Sequence, residues 1–552
     1  MSLSSYEFVL VFLPVSVLGF WRLNGRFGRS AGVWWLIGVS IVFYAYASVT
    51  GLMVLLPSIG LDLLVARGML RSDISQARRQ TALYLIGIIA NILLLGYFKY
   101  KNFFLGTLDT VFGARFPLTP VLMSLGISFL TFQKIAFLSD VQSGVIDKIP
   151  LRDFLLFTLF FPRTLAGPIV HYQEVMPQFA SNDSRECLRH VGIGVALFSI
   201  GLFKKAVIAD GVAEFVPYRD VGPIPCIFAW TGTLAYLLQL YFDFSGYSDM
   251  ALGAARFFGI RLPMNFNSPL KATSIVDFWS RWHITLTRFL TSYVYTPLVL
   301  LLTRYRINRG KPVLRGKRSK PSAIGSLVAA PTLVTMAVSG LWHGAGWQFV
   351  VWGLMHGIYL TINQTWRVLR PRFWANQASY ERFMAPVGFV LTFFAVLVST
   401  NFFRADSLQS ALSLSTAMMG LHGFVPYHVQ TLQSMGLEFD WTAYWTPFAS
   451  LRWLTMLFLA ATLLPNSLEL LRQFSPALDF PGTGTERVGR AEKEPVKSSW
   501  IHQCGMRIRE GWAQVGREGL TANWRTAWLL ATIAALGLMA LSHTAKFIYG
   551  RF

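Results

Sequence analysis

The chain has 552 residues, of which 53% are hydrophobic and only 14% charged, and its mean hydropathy is +0.46. Soluble proteins carry about 25% charged residues, so a water-soluble enzyme is excluded. The net charge of +22 comes from 49 Lys and Arg against 27 Asp and Glu. The basic residues sit between apolar blocks, as on the cytoplasmic loops of membrane proteins, and do not form a nucleic-acid-binding face.

Apolar stretches predict spans near 5 to 21, 31 to 48, 50 to 66, 81 to 98, 117 to 138, 154 to 172, 189 to 209, 224 to 244, 321 to 341, 346 to 364, 385 to 402, 450 to 467 and 525 to 546. Each is close to the length that crosses a hydrocarbon core of about 30 Å. The N-terminal stretch has no basic region before it and no small-residue cleavage site, so it is expected to be a retained span with the N-terminus outside. Basic loops at 22 to 30, 67 to 80, 304 to 320 and 366 to 382 are placed in the cytoplasm, which turns GLWHGAGW outward. Residues 1 to 470 are expected to form one membrane domain, 471 to 524 a basic, partly disordered cytoplasmic insert, and 525 to 552 a last helix. The segment 480 to 498 has too few apolar residues to fold alone. Cys187, Cys226 and Cys504 lie far apart, which suggests neither a disulfide framework nor a thiolate metal site.

Polar residues inside these blocks carry the functional signal, because a charge at the centre of a span costs about 2.5 to 3.5 kcal/mol on insertion scales. LFFPRTLAGPIVHY, with Pro162, Arg163 and Pro168, reads as a broken element lining a cavity, with Arg163 turned away from lipid. QLYFDFSGYSDM places Asp243 and Asp249 beside Tyr247 at the end of a span. The carboxylates could bind a cation or share a proton, but a polar helix break explains them as simply, and structural support is the favoured reading. SIVDFWSRWHITLTRFLTSYVYTP, from Ser274 to Pro297, is amphipathic and is expected to lie at the membrane surface, with Arg281 and Arg288 on a solvated basic face. The functional alternative is a platform for an anionic donor, with Asp277 or His283 orienting a partner. In LWHGAGWQFVVWGLMHG, His343 is a candidate general base, held between Trp342 and Trp347. Gly344 and Gly346 would allow close approach of backbone or ligand. His356, thirteen positions on, shares a helical face with His343 only if the intervening turn breaks the helix.

The segments YFDFSGYSDMALG, DFWSRWHITLTRF and LWHGAGWQFVVWGLMHG resemble the membrane-bound O-acyltransferases, specifically the bacterial alginate O-acetyltransferase group. LGYFKYKNFF, GISFLTFQKIAFLSDV, FFPRTLAGPI, GLFKKAVIAD and NFFRA follow in the same order, and the likeness returns at KFIYGRF. The resemblance implies an all-α polytopic protein, with re-entrant or interfacial helices around a central funnel or tunnel in a bacterial inner membrane. It implies His343 as the catalytic base and His356 as a supporting second histidine. Trp279, Trp282, Arg281, His283 and Asp277 fall in a motif helix, and Trp342, Trp347 and Tyr247 are candidate donors to an oxyanion. The expected donor is acetyl-CoA or an acyl-carrier thioester, with no permanently bound cofactor and no metal. The expected acceptor is an exported polysaccharide, with a periplasmic SGNH-type acetyltransferase as a partner. Ser280, Thr291 and Ser292 depart from the charged residues usual in the group, and the basic loop Arg304 to Lys320 is expected to supply compensating charge. The rival readings are acylation of a lipid or lipid-linked sugar, and a transporter or flippase.

Overall fold

A computed structural model describes residues 1–71, 76–113, 116–118, 126–163, 166–181, 186–216, 224–316, 318–374, 376–423, 441–480 and 523–543. Every regular element among them is helical. In chain order the α-helices are α1 (Leu13–Phe27), α2 (Arg29–Ala47), α3 (Val49–Leu70), α4 (Ala77–Leu95), α5 (Lys101–Phe112), α6 (Ile127–Gln142), α7 (Leu151–Leu159), α8 (Tyr172–Ser181), α9 (Cys187–Phe203), α10 (Asp210–Ala213) and α11 (Cys226–Arg256). They continue as α12 (Ile275–Trp279), α13 (Ile284–Leu290), α14 (Thr296–Asn308), α15 (Pro321–Ile324), α16 (Ala330–His343), α17 (Trp347–Leu369), α18 (Gln377–Arg404), α19 (Leu408–Met418), α20 (Trp441–Leu463), α21 (Ser467–Leu470) and α22 (Trp524–Ala540). π turns at Gly96–Tyr100, Lys204–Ala209, Thr291–Tyr295 and Gly325–Ala329 join several of these into longer rods.

Eight helices among the described residues are long and apolar enough to cross a membrane: Glu7–Phe27, Arg29–Ala47, Val49–Leu70, Ala77–Phe112, Cys187–Ala213, Ile284–Asn308, Pro321–His343 and Gln377–Arg404. Ile284–Asn308 is absent from the spans expected from sequence. Its N-terminal half belongs to the stretch read as a surface helix, and the π turn that carries it on into α14 leaves no break for a sequence reading to detect. Of the expected insert 471 to 524, only 471–480 and 523–524 fall within the described residues.

Two large cores meet on α11, whose 31 residues run unbroken through Asp243 and Asp249. The helix break expected at that point does not occur. The N-terminal half of α11, with Leu237, Tyr241 and Phe244, packs into the core of α12, α13, α16, α17 and α18. The C-terminal half, with Tyr247, Met250 and Leu252, packs into the core of the N-terminal helices, α7 and α9. The broken element holds: α7 stops at Leu159, one 3-10 turn covers Phe161–Arg163, and 166–171 is irregular. Its backbone is satisfied from other helices, by Ser40 Oγ accepting from Phe161 N–H at 3.2 Å and Thr285 Oγ1 accepting from Ile169 N–H at 3.0 Å. Irregular backbone in a membrane protein requires such partners.

Buried charges lock helices together. Asp62 on α3 takes Lys134 of α6 at 3.1 Å and the Asn91 amide of α4 at 2.6 Å. Removing one partner of a buried pair typically costs about 3 to 5 kcal/mol, because the other charge remains uncompensated. Lys134→Met is therefore expected to lower the melting temperature of the detergent-solubilised protein sharply, and Lys134→Met combined with Asp62→Asn to recover part of the loss. If the double variant melts below the single one, the pair is not the source of the stability.

Candidate active site

The hairpin of α16 and α17 is the frame of the site. It closes because both helices carry glycine where they cross: a Cβ on Gly340 would stand 2.1 Å from the Phe349 carbonyl oxygen, and one on Gly353 2.1 Å from that of Met336. The turn 344–346 breaks the helix and reverses it, so His343 and His356 do come together, both against Trp352. The Trp352 ring centroid is 5.1 Å from that of His343 and 4.9 Å from that of His356. The space beside Gly344 and Gly346 is taken by the chain itself, since a Cβ there would meet the Phe349 ring at 2.1 Å and the Gln348 amide at 2.4 Å.

His343 is 2% exposed, the last residue of α16, and enclosed by Trp342 (4.8 Å between ring centroids), Trp352 (5.1 Å) and Phe403 (5.1 Å). His283, Lys99 and His356 are close enough to act on it electrostatically. Trp342 is buried, and among the described residues nothing accepts a hydrogen bond from its Nε1–H. Trp347, the other tryptophan of the motif, is 52% exposed and lies against Phe103 at 5.6 Å.

His356 is built into a directed chain of hydrogen bonds. An indole N–H can only donate, so Trp279 Nε1–H, 3.3 Å from His356 Nδ1, makes that nitrogen the acceptor. The proton is then on Nε2, which donates to Ser399 Oγ at 2.9 Å, while the Ser399 hydroxyl donates to the Val396 carbonyl at 2.8 Å. Both ring nitrogens are thereby used.

The motif helix read as interfacial is buried and broken. α12 ends at Trp279, and His283, fully buried, takes a left-handed conformation at φ 43° before α13 begins. A left-handed residue other than glycine costs roughly 1 to 2 kcal/mol. Asn265 holds the bend: its carbonyl oxygen accepts from Ile284 N–H at 3.0 Å and its Oδ1 from Thr285 Oγ1 at 2.6 Å. The result sets His283 5.8 Å from Trp342, and Trp282 and Phe278 on the inner wall. The amphipathic pattern misled because the aromatic face is covered by α11 and α17, while the basic residues, still partly exposed, are tied into ion pairs. Arg288 is bound in two places by Glu174 (2.6 and 3.0 Å), and Arg281 pairs with Asp277 at 2.8 Å. Asp277 also caps its own helix start, as acceptor from Thr273 N–H at 3.3 Å.

A small cavity adjoins the second histidine, lined by Trp279, Trp282, Trp352, His356 and Phe403 among others. A second, smaller one shares Phe278 and Val396 with it and is lined also by Pro269 and Leu270. Trp352 and Phe403, both against His343, stand between that residue and the larger cavity.

Four expected site residues lie elsewhere. Asp243 pairs with Lys205 at 2.8 Å, and Asp249 with Lys204 at 2.8 Å and Ser467 at 2.6 Å, so each carboxylate has its own lysine. Tyr247 belongs to the other core and bonds the Ala166 main chain. Arg163 is buried there too, 4.8 Å over the Phe157 ring, and so is turned from lipid as expected. Sequence reasoning passed over Trp352, Phe403, Ser399 and Asn265. Trp352 and Phe403 were legible as belonging to motif segments; Ser399 and Asn265 carried no signal, because one hydroxyl in a span and one amide in a loop are common.

Residues 79–308 match the model of the MBOAT, membrane-bound O-acyltransferase family. A peptidoglycan O-acetyltransferase of Helicobacter pylori is 37% identical over 458 residues, covering 76% of this chain and 80% of that protein. A probable alginate O-acetylase of Pseudomonas aeruginosa is 34% identical over 426 residues, covering 76% and 75%. A teichoic acid D-alanyltransferase of Streptococcus thermophilus is 29% identical over 291 residues, covering 50% and 66%. With its run of bilayer-length helices and relatives aligned over most of its length, this chain is a multi-pass membrane O-acyltransferase and belongs to the membrane-bound O-acyltransferase family.

Proposed function

We propose that the protein transfers an acetyl group from a thioester donor to hydroxyls of an exported polysaccharide, with His343 as the base. The observation that carries this reading is a buried histidine closed in by aromatic rings, beside an indole N–H that no described group engages. His343 takes the proton of the acceptor hydroxyl as its oxygen attacks the thioester carbonyl. The carbonyl oxygen gains negative charge, and Trp342 Nε1–H donates to it. The C–S bond then breaks as the C–O ester forms, and the imidazolium returns its proton to the departing thiolate, so the histidine ends as it began. The donor in this reading is acetyl-CoA or a carrier thioester. His356, with both nitrogens occupied, positions Trp279 and takes no proton.

The relatives named for peptidoglycan and alginate support a polysaccharide acceptor. A periplasmic acetyltransferase acting as relay fits the same chemistry, with the relay's hydroxyl in place of the sugar's. Acylation of a lipid predicts a different product. Membranes containing the protein, given radiolabelled acetyl-CoA, are expected to place base-labile label on peptidoglycan or exopolysaccharide. Label that appears only in the lipid extract would overturn the polymer reading. Trp342→Phe keeps the ring and removes the donor, and is expected to lower the transfer rate ~10²-fold, as loss of one oxyanion donor does in other acyl-transfer enzymes. An unchanged rate would remove Trp342 from the mechanism.

A further inference from the structure

The base sits on the last residue of a helix, where carbonyls lack partners within the helix and the end frays unless something else binds them. Gly340 O accepts from Gly344 N–H at 3.3 Å. The next two carbonyls are taken from outside: Tyr100 hydroxyl donates to Leu341 O at 2.8 Å, and Lys99 Nζ donates to Trp342 O. Lys99 also reaches Ser128 Oγ at 3.3 Å and lies 5.9 Å from the centroid of the Trp342 ring. Both donors stand on the π turn Gly96–Tyr100, which joins α4 to α5. π turns are uncommon and recur at functional sites.

Packing makes the arrangement specific. Tyr100, Leu95 and Ile127, with Phe98 and Leu341, form a small core of their own, apart from the two large ones. The π turn is thus docked on the final turn of α16 by apolar contact and by two hydrogen bonds. A cation at a helix C-terminus is favourable on electrostatic grounds as well. Lys99, partly buried, is among the groups close enough to act electrostatically on His343.

We infer that Lys99 and Tyr100 are positioning residues: they clamp the last two carbonyls before His343, and so fix the direction of its ring between Trp342, Trp352 and Phe403. The inference rests on the reading of His343 as the base. A displacement of about 1 Å at a reacting group can cost ~10²-fold in rate, so the clamp has a large lever.

The test uses the full-length protein in detergent for hydrogen exchange and in membranes for transfer, with Lys99→Met, Lys99→Arg, Tyr100→Phe and His343→Ala at matched abundance. Exchange of the amides of 341–346, followed by mass spectrometry, reads the clamp without any acyl donor. It is expected to quicken at least tenfold in Lys99→Met and to stay near the parent rate in Lys99→Arg, which keeps a charged donor. With radiolabelled acetyl-CoA as the probe, Lys99→Met is expected to lower kcat ~10²-fold with KM within twofold. Lys99→Arg should recover most of the loss, and Lys99→Met with Tyr100→Phe should fall less than the two single losses multiplied. Unchanged exchange in Lys99→Met, or an arginine variant as impaired as the methionine one in both measurements, overturns the clamp. Full transfer by His343→Ala overturns the reading of His343 instead, whatever the exchange shows.

Discussion

His343→Ala is expected to lose transfer by ~10² to 10⁴-fold, the range general-base catalysis contributes, while the protein remains in the membrane at normal abundance. The reason for the second half of the statement is packing. His343 lies between three rings that also pack against other partners, Trp342 on Phe132 and Phe129, Trp352 on Trp279, and Phe403 on Phe349. Removing the imidazole opens a small void without unpinning any of them. His356→Gln provides the contrast. A glutamine amide can reach the position of Nε2 and donate to Ser399, so activity is expected to fall by less than tenfold. His356→Ala severs Trp279 and Ser399 together and should fall further. If His356→Gln were as inactive as His343→Ala, the second histidine would be moving protons and the role given to it here would be wrong.

The second large effect is on folding. Gly353→Ala places a methyl 2.1 Å from the Met336 carbonyl oxygen, and Gly340→Ala one 2.1 Å from that of Phe349. Backbone atoms cannot rotate aside as the end of a side chain can, so the two helices must separate. Overpacking a tight core costs ~1 to 3 kcal/mol, occasionally more, and here the hairpin that is displaced carries both histidines. Either variant is expected to be poorly recovered from membranes and, where recovered, to show little activity. Gly25→Ala, at a helical glycine with nothing within 4 Å of the added carbon, serves as the control and should behave as the parent. Normal yield and activity for Gly353→Ala would mean that the helices cross less closely than the structure shows.

The membrane class and seven of the eight membrane-length helices among the described residues were legible in the sequence, and the WHG histidine stood out there as a candidate, for different reasons. Spans are legible because bilayer thickness imposes a length on every apolar block. His343 was legible because a histidine among glycine and aromatic residues in an apolar run is costly and demands a role. Its pairing with His356 across Trp352 was visible only as a condition, that the turn between them break the helix, since sequence gives spacing along one helix and nothing about a reversal. The motif from Ser274 was misread for a physical reason. An amphipathic helix has the same periodicity whether its apolar face meets lipid headgroups or α11, and the break at His283 needs a left-handed residue supported by Asn265, twenty positions from Thr285. The carboxylates Asp243 and Asp249 were read as structural support, and the lysines that pair with them, Lys205 and Lys204 on the α9 rod, are long-range and unreadable from local pattern. Lys99 carried no local signal of this role, because its hydrogen bond to Trp342 spans 243 positions of sequence.

The central claim is that this enzyme esterifies a surface polymer through His343. The most direct measurement is the acetate released by mild base from purified peptidoglycan and exopolysaccharide, compared among cells carrying the intact protein, His343→Ala at equal abundance, and no copy. The account predicts that ester in the His343→Ala cells falls to the level of cells lacking the protein. Ester at the intact level in His343→Ala cells would contradict the assignment of the base, and ester unchanged even without the protein would contradict polymer acetylation itself.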